Sequence, residues 1–247
     1  MAGYLKRVCL LTGAGGLLGT EMCRRYAAEY DIVAVYRSRP PEVPSQMQRR
    51  VDPLDPTARA AENEHPVFAI QADLAEPGQV RRVVELAMAR HERIDLLVNA
   101  AADVRFHGPI VDTERLLPAL RGQLELNLLV PMRLVAEVYQ QFWRRDPEEN
   151  RALRRSVVNV SSVSGLRIYA GHNQSMYSAS KAALNYMTCH MAEELASVGV
   201  RANALAPNSF PGAVPTERVA EAIRGLDEGQ DTGRVVEIDG EGERGAR

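Results

Sequence analysis

Short apolar runs alternate with longer amphipathic stretches along almost the whole chain. The runs are Arg7–Leu11, Ile32–Tyr36, Val67–Gln71, Leu96–Asn99, Val157–Val160, Val200–Leu205 and Val235–Ile238. Most lack polar alternation, which is expected of strands buried on both faces. Between them, apolar residues recur at helical spacing over about 18–30, 77–91, 114–143, 176–197 and 216–225. Strand and helix in strict turn predict a doubly wound parallel sheet of about seven strands, with helices on both faces. The stretch 38–66 interrupts the pattern. Its prolines (Pro40, Pro41, Pro44, Pro53, Pro56 and Pro66) break any long helix and predict a partly irregular crossover. The polar, glycine-rich tail Gly240 to Arg247 is expected to fray.

Composition narrows the classes further. The 247 residues are 45% hydrophobic, with 30 Lys+Arg against 32 Asp+Glu. That length and apolar content suit a single domain over residues 1–247 with a sizeable core. The near-zero charge offers no nucleic-acid footprint, and no apolar run is long enough for a membrane span. The apolar stretch after Lys6 and Arg7 is too short for a secretory signal and reads as the first strand. Cys9, Cys23 and Cys189 read as free thiols of a reducing compartment, the cytoplasm. The histidines, at 65, 91, 107, 172 and 190, have no metal-site spacing. Arg144, Arg145, Arg151, Arg154 and Arg155 beside Asp146, Glu148 and Glu149 read as a solvated, mutually paired turn. Leu124, Leu128, Met132 and Val135 form a helical stripe expected to pack inward.

Candidate chemistry begins directly after the first strand, at Thr12-Gly13-Ala14-Gly15-Gly16-Leu17-Leu18-Gly19. A glycine turn there lets backbone approach a pyrophosphate, and the following helix aims its N-terminal amides at the negative charge. The spacing is T-G-x-x-G-x-x-G; Leu18 stands where G-x-G-x-x-G would need its third glycine. Far downstream, Tyr177 and Lys181 are four residues apart at the start of a helical stretch, on one face. A phenol titrates near 10 in water, and a nearby ammonium lowers that value by favouring the phenolate. Just upstream, the strand ending at Val160 runs into Ser161-Ser162-Val163-Ser164-Gly165. Hydroxyls at the carboxyl end of a parallel strand sit where such sheets bind ligands.

These segments, with Asp73-Leu74, Asn99-Ala100-Ala101, Asn127 and Val200–Pro207, resemble the short-chain dehydrogenase/reductases, whose elements occur in this order. The resemblance spans Arg7 to about Gly240 and implies a Rossmann-type fold. It implies that Tyr177 is the acid/base on the substrate oxygen. Lys181 would lower its pKa and meet the nicotinamide ribose, Ser162 would hold the carbonyl, and Asn127 would anchor a proton-relay water. Gly13, Gly15, Gly16, Leu18, Ala100 and Pro207 would line the cofactor, Asp73 and Leu74 would meet the adenine, and Asn99 would brace the central strand. The chain departs from the family pattern in four places. The glycine spacing is that of the extended branch, whereas the active-site segment is classical. Asn99-Ala100-Ala101-Ala102 replaces Asn-Asn-Ala-Gly, and Pro207-Asn208 replaces Pro-Gly. The serine could be Ser162 by local motif or Ser164 by its distance from the tyrosine; Ser162 is preferred.

The expected activity is therefore hydride transfer between a nicotinamide cofactor and a carbonyl or secondary alcohol, with a ketoreductase favoured. Arg37 and Arg39 follow the second strand with no acid beside them, which favours NADP(H) over NAD(H). A non-catalytic dinucleotide binder would not need the serine, tyrosine, lysine and asparagine. An extended-type epimerase or dehydratase lacks room, because only 40 residues follow Pro207. The lid Asn208 to Pro215 is short and proline-rich, so a compact turn and an open cleft are expected, with Phe210 as apolar contact and Arg105, His107 and Tyr169 on the rim. His172 falls in a second loop expected to border the pocket. Cover from 38–66 is the competing arrangement. The apolar surfaces of helices 114–143 and 176–197 predict a homodimer or homotetramer.

Overall fold

A computed structural model describes residues 6–45, 67–240 and 242–246, the last segment by its backbone alone. One sheet carries the order β3-β2-β1-β4-β5-β6-β7-β8. Its strands are β1 (Arg7–Thr12), β2 (Tyr30–Tyr36), β3 (Phe68–Gln71), β4 (Leu96–Asn99), β5 (Ser156–Val160), β6 (Arg201–Pro207), β7 (Val235–Asp239) and β8 (Gly242–Ala246). The first seven are parallel, as expected. The eighth is a correction: the tail read as fraying pairs antiparallel with β7, Val235 opposite Ala246 and Asp239 opposite Gly242. Its glycines and charges hid a strand stabilised by backbone hydrogen bonds along the sheet edge. Of the crossover expected over 38–66, residues 46–66 lie outside the described residues, and so does any cover they give the cleft.

Two-sided burial explains the unbroken apolar runs. Along β1, Val8 and Leu10 pack into one core and Cys9 and Leu11 into the other. Helices α2 (Gln79–His91), α4 (Val130–Gln141) and α6 (Ser175–Ala196) cover the first face. Helices α1 (Leu17–Tyr26) and α7 (Thr216–Glu228) cover the second. No helix among the described residues is long and apolar enough to cross a membrane.

The helix expected over 114–143 is two helices. Helix α3 (Thr113–Leu124) is followed by a π-helical turn, Glu125–Leu129, before α4 begins. Pro131 has no N–H with which to serve the Asn127 carbonyl four residues earlier, so regular α-helical bonding fails there. The stripe Leu124, Leu128, Met132 and Val135 is corrected too. Only Val135 is buried, and the inward face of α4 is Val130, Leu134 and Val138.

The basic cluster is not simply solvated. Asp146 caps a short helix, α5 (Pro147–Ala152), by accepting from the Glu149 amide. Arg155 is buried: it pairs with Asp95 at 3.1 Å and Glu149 at 2.7 Å, and lies 4.4 Å over the Phe142 ring. Its partner Asp95 lies 60 residues away in sequence, which is why local charge counting missed it.

Candidate active site

The strand order reverses between β1 and β4, and a crevice opens at their carboxyl ends, where doubly wound sheets bind ligands. Thr12, the last residue of β1, closes its floor: Oγ1 accepts from the amides of Ala100 and Ala101, both at 3.1 Å. Asn99 lies behind the crevice. Its Nδ2 donates to Asn159 Oδ1 at 2.8 Å, and Asn159 in turn donates to Thr188 at 2.8 Å, tying β4, β5 and α6 together.

The glycine turn takes the form its spacing implied. Gly13 has φ +70°, and a Cβ there would come within 2.7 Å of the Ala100 carbonyl oxygen. Gly16 stands at the N-cap of α1, and the helix has neither a capping side chain nor an acidic residue in its first turn. Its first amides therefore open toward the crevice beside Gly13, Gly16 and Leu18. That is the environment an anionic pyrophosphate requires.

On one side of this turn is a cavity of about 410 Å³ lined by Gly15, Arg37, Ser38, Arg39, Asp73 and Leu74. Asp73 is held at the end of β3 by the Ala75 amide, 3.1 Å from Oδ1. The Arg37 carbonyl accepts from Gln71 Nε2 at 3.0 Å, which fixes the backbone of the arginine pair. Every residue expected to touch the adenosine end thus lies in one place.

On the other side is a cavity of about 620 Å³ that includes Ser162, Tyr177, Lys181 and Pro207. The two candidate serines differ in their contacts. Tyr177 shares a hydrogen bond with Ser162, while the Ser164 amide donates to Ser162 Oγ at 3.1 Å. The Tyr177 pKa does not behave as the resemblance implied. Burial pushes it above the ordinary phenol value, and the Ser162 hydrogen bond works only partly against this. Lys181 Nζ donates to the Val160 carbonyl at 2.8 Å and lies 5.9 Å from the Tyr177 ring centroid. Burial pushes the amine itself down to about 8.

Asn127 is buried in the π-helical turn and does not line the cavity. Its side chain is already used: Oδ1 accepts from the Asp103 amide at 2.7 Å, and Nδ2 donates to Asp103 O and Ser180 Oγ, each at 3.0 Å. Gln123, one turn earlier, donates to the carbonyls of Asp103 and Arg105 at 3.3 and 2.9 Å. Together they pin the loop whose Phe106 ring sits 5.7 Å from that of Tyr177.

Among the rim residues, Tyr169, His172 and Phe210 line the larger cavity. Arg105 and His107 do not. Arg105 pairs with Asp103 at 2.6 Å, and His107 lies 3.9 Å from the same carboxylate. Residues 208–215 form the compact turn expected of the lid: Ser209 O accepts from Ala213 and Val214, and Phe210 packs partly on the core. Sequence reading did not single out Phe106, Gln123 or Gln174, because each acts through a contact set by loop closure.

A sequence profile of the short chain dehydrogenase family matches residues 7–225. The chain is a short-chain dehydrogenase. It belongs with NAD(P)-dependent oxidoreductases acting on CH–OH and C=O groups. This short-chain dehydrogenase is 30% identical over 220 residues to 3-oxoacyl-[acyl-carrier-protein] reductase of Thermotoga maritima, covering 88% of this chain and 79% of that one. It is 28% identical over 233 residues to acetoacetyl-CoA reductase of Allochromatium vinosum, covering 88% and 87%. Its fold matches a short chain dehydrogenase of Mycobacterium avium with a TM-score of 0.77 at 24% identity, over 100% of this chain and 86% of that one.

Proposed function

We propose that this short-chain dehydrogenase is an NADP(H)-dependent ketoreductase. The observation that carries the reading is the placement of Ser162, Tyr177 and Lys181 in the cavity onto which the uncapped end of α1 opens. The nicotinamide, when bound, supplies the hydride. Tyr177 Oη gives its proton to the carbonyl oxygen as the carbon is reduced, and Ser162 donates a hydrogen bond to the same oxygen. The Tyr177 phenol is protonated at neutral pH, the form that an acid in the reductive direction needs. Lys181, in the lining of the larger cavity, would meet the ribose hydroxyls of the nicotinamide half, and Arg37 and Arg39, in the lining of the smaller one, would meet a 2′-phosphate. Asn127, whose side chain is engaged by Asp103 and Ser180, would anchor a proton-relay water. The compact turn at 208–215 and the carrier-linked substrates named for two relatives favour a bulky or carrier-linked carbonyl compound.

Two measurements test this reading. Wild type is expected to bind NADPH more tightly than NADH, and Arg37→Ala to lose about tenfold in NADPH affinity with NADH affinity little changed. An unchanged preference would remove Arg37 from cofactor selection. We also assign the exposed apolar residues Leu117 and Met132 on α3 and α4, and Tyr186 on α6, to a homodimer or homotetramer interface. Light scattering at micromolar concentration is expected to give at least twice the 27.2 kDa chain mass. A monomer would exclude that assignment.

A further inference from the structure

Gly15 stands in the glycine turn for a reason different from that of Gly13. Its φ lies outside the left-handed region, so its own backbone does not demand glycine. A neighbour does. A Cβ at position 15 would lie 1.8 Å from the carbonyl oxygen of Arg39 and 3.0 Å from the carbonyl carbon. The backbone of the turn thus presses directly on the loop 37–41 that follows β2. Neither partner is free to retreat. The Ala14 amide donates to the Val35 carbonyl at 2.9 Å, which docks the turn on the end of β2. The loop is held at both of its own ends. Gln71 Nε2 donates to the Arg37 carbonyl at 3.0 Å, and Pro41 and Val43 are buried, Val43 within the core that α1 covers. Between these anchors Arg37, Ser38 and Arg39 are exposed and, with Gly15, line the smaller cavity.

We propose that Gly15 and Gln71 are positioning residues for cofactor selection: through two separate backbone contacts they fix where Arg37 and Arg39 meet a 2′-phosphate. Gly15 acts by having no side chain, which lets the Arg39 carbonyl close against the turn. Gln71 acts by holding the Arg37 carbonyl. A side chain at position 15 displaces the Arg39 carbonyl by more than about 1 Å, because a Cβ does not come within 3.0 Å of such an oxygen. Guanidinium forks meet phosphate oxygens in a narrow geometry, so a displaced loop weakens that contact with both arginines still present. Gln71 is not part of the cavity lining, so its effect on the cofactor passes through the loop. The inference rests on the NADP(H) reading and goes beyond it by assigning the groups that shape the phosphate site.

The test titrates ADP-ribose and ADP-ribose 2′-phosphate into the protein by calorimetry. The two probes differ only in the 2′-phosphate, so any change at the pyrophosphate or the adenine cancels in the ratio of their dissociation constants. Wild type is expected to favour the 2′-phosphate form. Gly15→Ala is expected to reduce that preference about tenfold, the loss of a charge-assisted hydrogen bond. Gln71→Leu, which leaves the glycine turn as it is, is expected to reduce it about threefold and keeps the test open should Gly15→Ala not fold. In a chain already carrying Arg37→Ala and Arg39→Ala, Gly15→Ala is expected to change the preference no further, because the groups it acts through are gone. Equal losses on both probes in Gly15→Ala would confine Gly15 to the pyrophosphate and overturn the inference with the NADP(H) reading left standing. An unchanged preference in either folded variant overturns it in the same way. Wild type that binds ADP-ribose at least as tightly as its 2′-phosphate overturns the NADP(H) reading and the inference with it.

Discussion

Tyr177→Phe is expected to lower kcat by at least about a thousandfold, equivalent to about 4 kcal/mol of transition-state stabilisation. The change keeps the ring against Phe106 and removes only the hydroxyl that meets Ser162. Cofactor affinity should stay within about threefold of wild type, because no interaction confined to the transition state contributes to it. Pre-steady-state reduction of a carbonyl substrate and fluorescence titration of NADPH separate the two quantities. Near-normal turnover in the variant would remove Tyr177 as the proton donor.

Lys181→Met is expected to split activity from stability. The amine is 2% exposed, and burial pushes its pKa down to about 8 from an ordinary 10.5. Holding it protonated at neutral pH therefore costs the fold on the order of 3 kcal/mol, offset in part by the hydrogen bond to Val160. Methionine fills a similar volume without that cost, so the variant should melt a few degrees higher at pH 7 while losing most of its turnover. The pH dependence has a definite sign. Between about 8 and 10.5 the unfolded chain still binds the proton and the folded chain has released it, so wild-type stability from this group rises with pH. The stability gap between variant and wild type should accordingly be full below pH 8 and close as pH rises through that window. A gap that stays constant across it, followed by calorimetry, would show that Lys181 is not penalised by burial.

Much of this site could be read along the chain because the relevant physics is local. Two-sided burial makes β1, β4 and β5 continuous apolar runs, and a turn that brings backbone against backbone demands Gly13 at φ +70°. Four-residue spacing places Tyr177 and Lys181 on one face of α6 whatever surrounds it. The choice between Ser162 and Ser164 was not local in this sense. Both follow β5, and only the short turn after it, in which Ser162 Oγ caps the Ser164 amide, turns one hydroxyl to Tyr177 and the other to Gln174.

The order of the elements, the glycine turn and the tyrosine–lysine helix follow from periodicity and spacing, which a chain carries wherever it folds. The partners of its buried polar groups follow from closure. Asn127 meets Asp103 and Ser180, Arg155 meets Asp95, and Glu237 meets Arg167 across 24, 53, 60 and 70 positions. Such partners are not encoded in spacing, because a buried donor donates to any suitable oxygen that packing delivers. The direction of a pKa shift depends on the same thing. Tyr177 beside a lysine suggests a lowered value, yet it is raised, because desolvation depends on what surrounds the pair rather than on the residues that compose it.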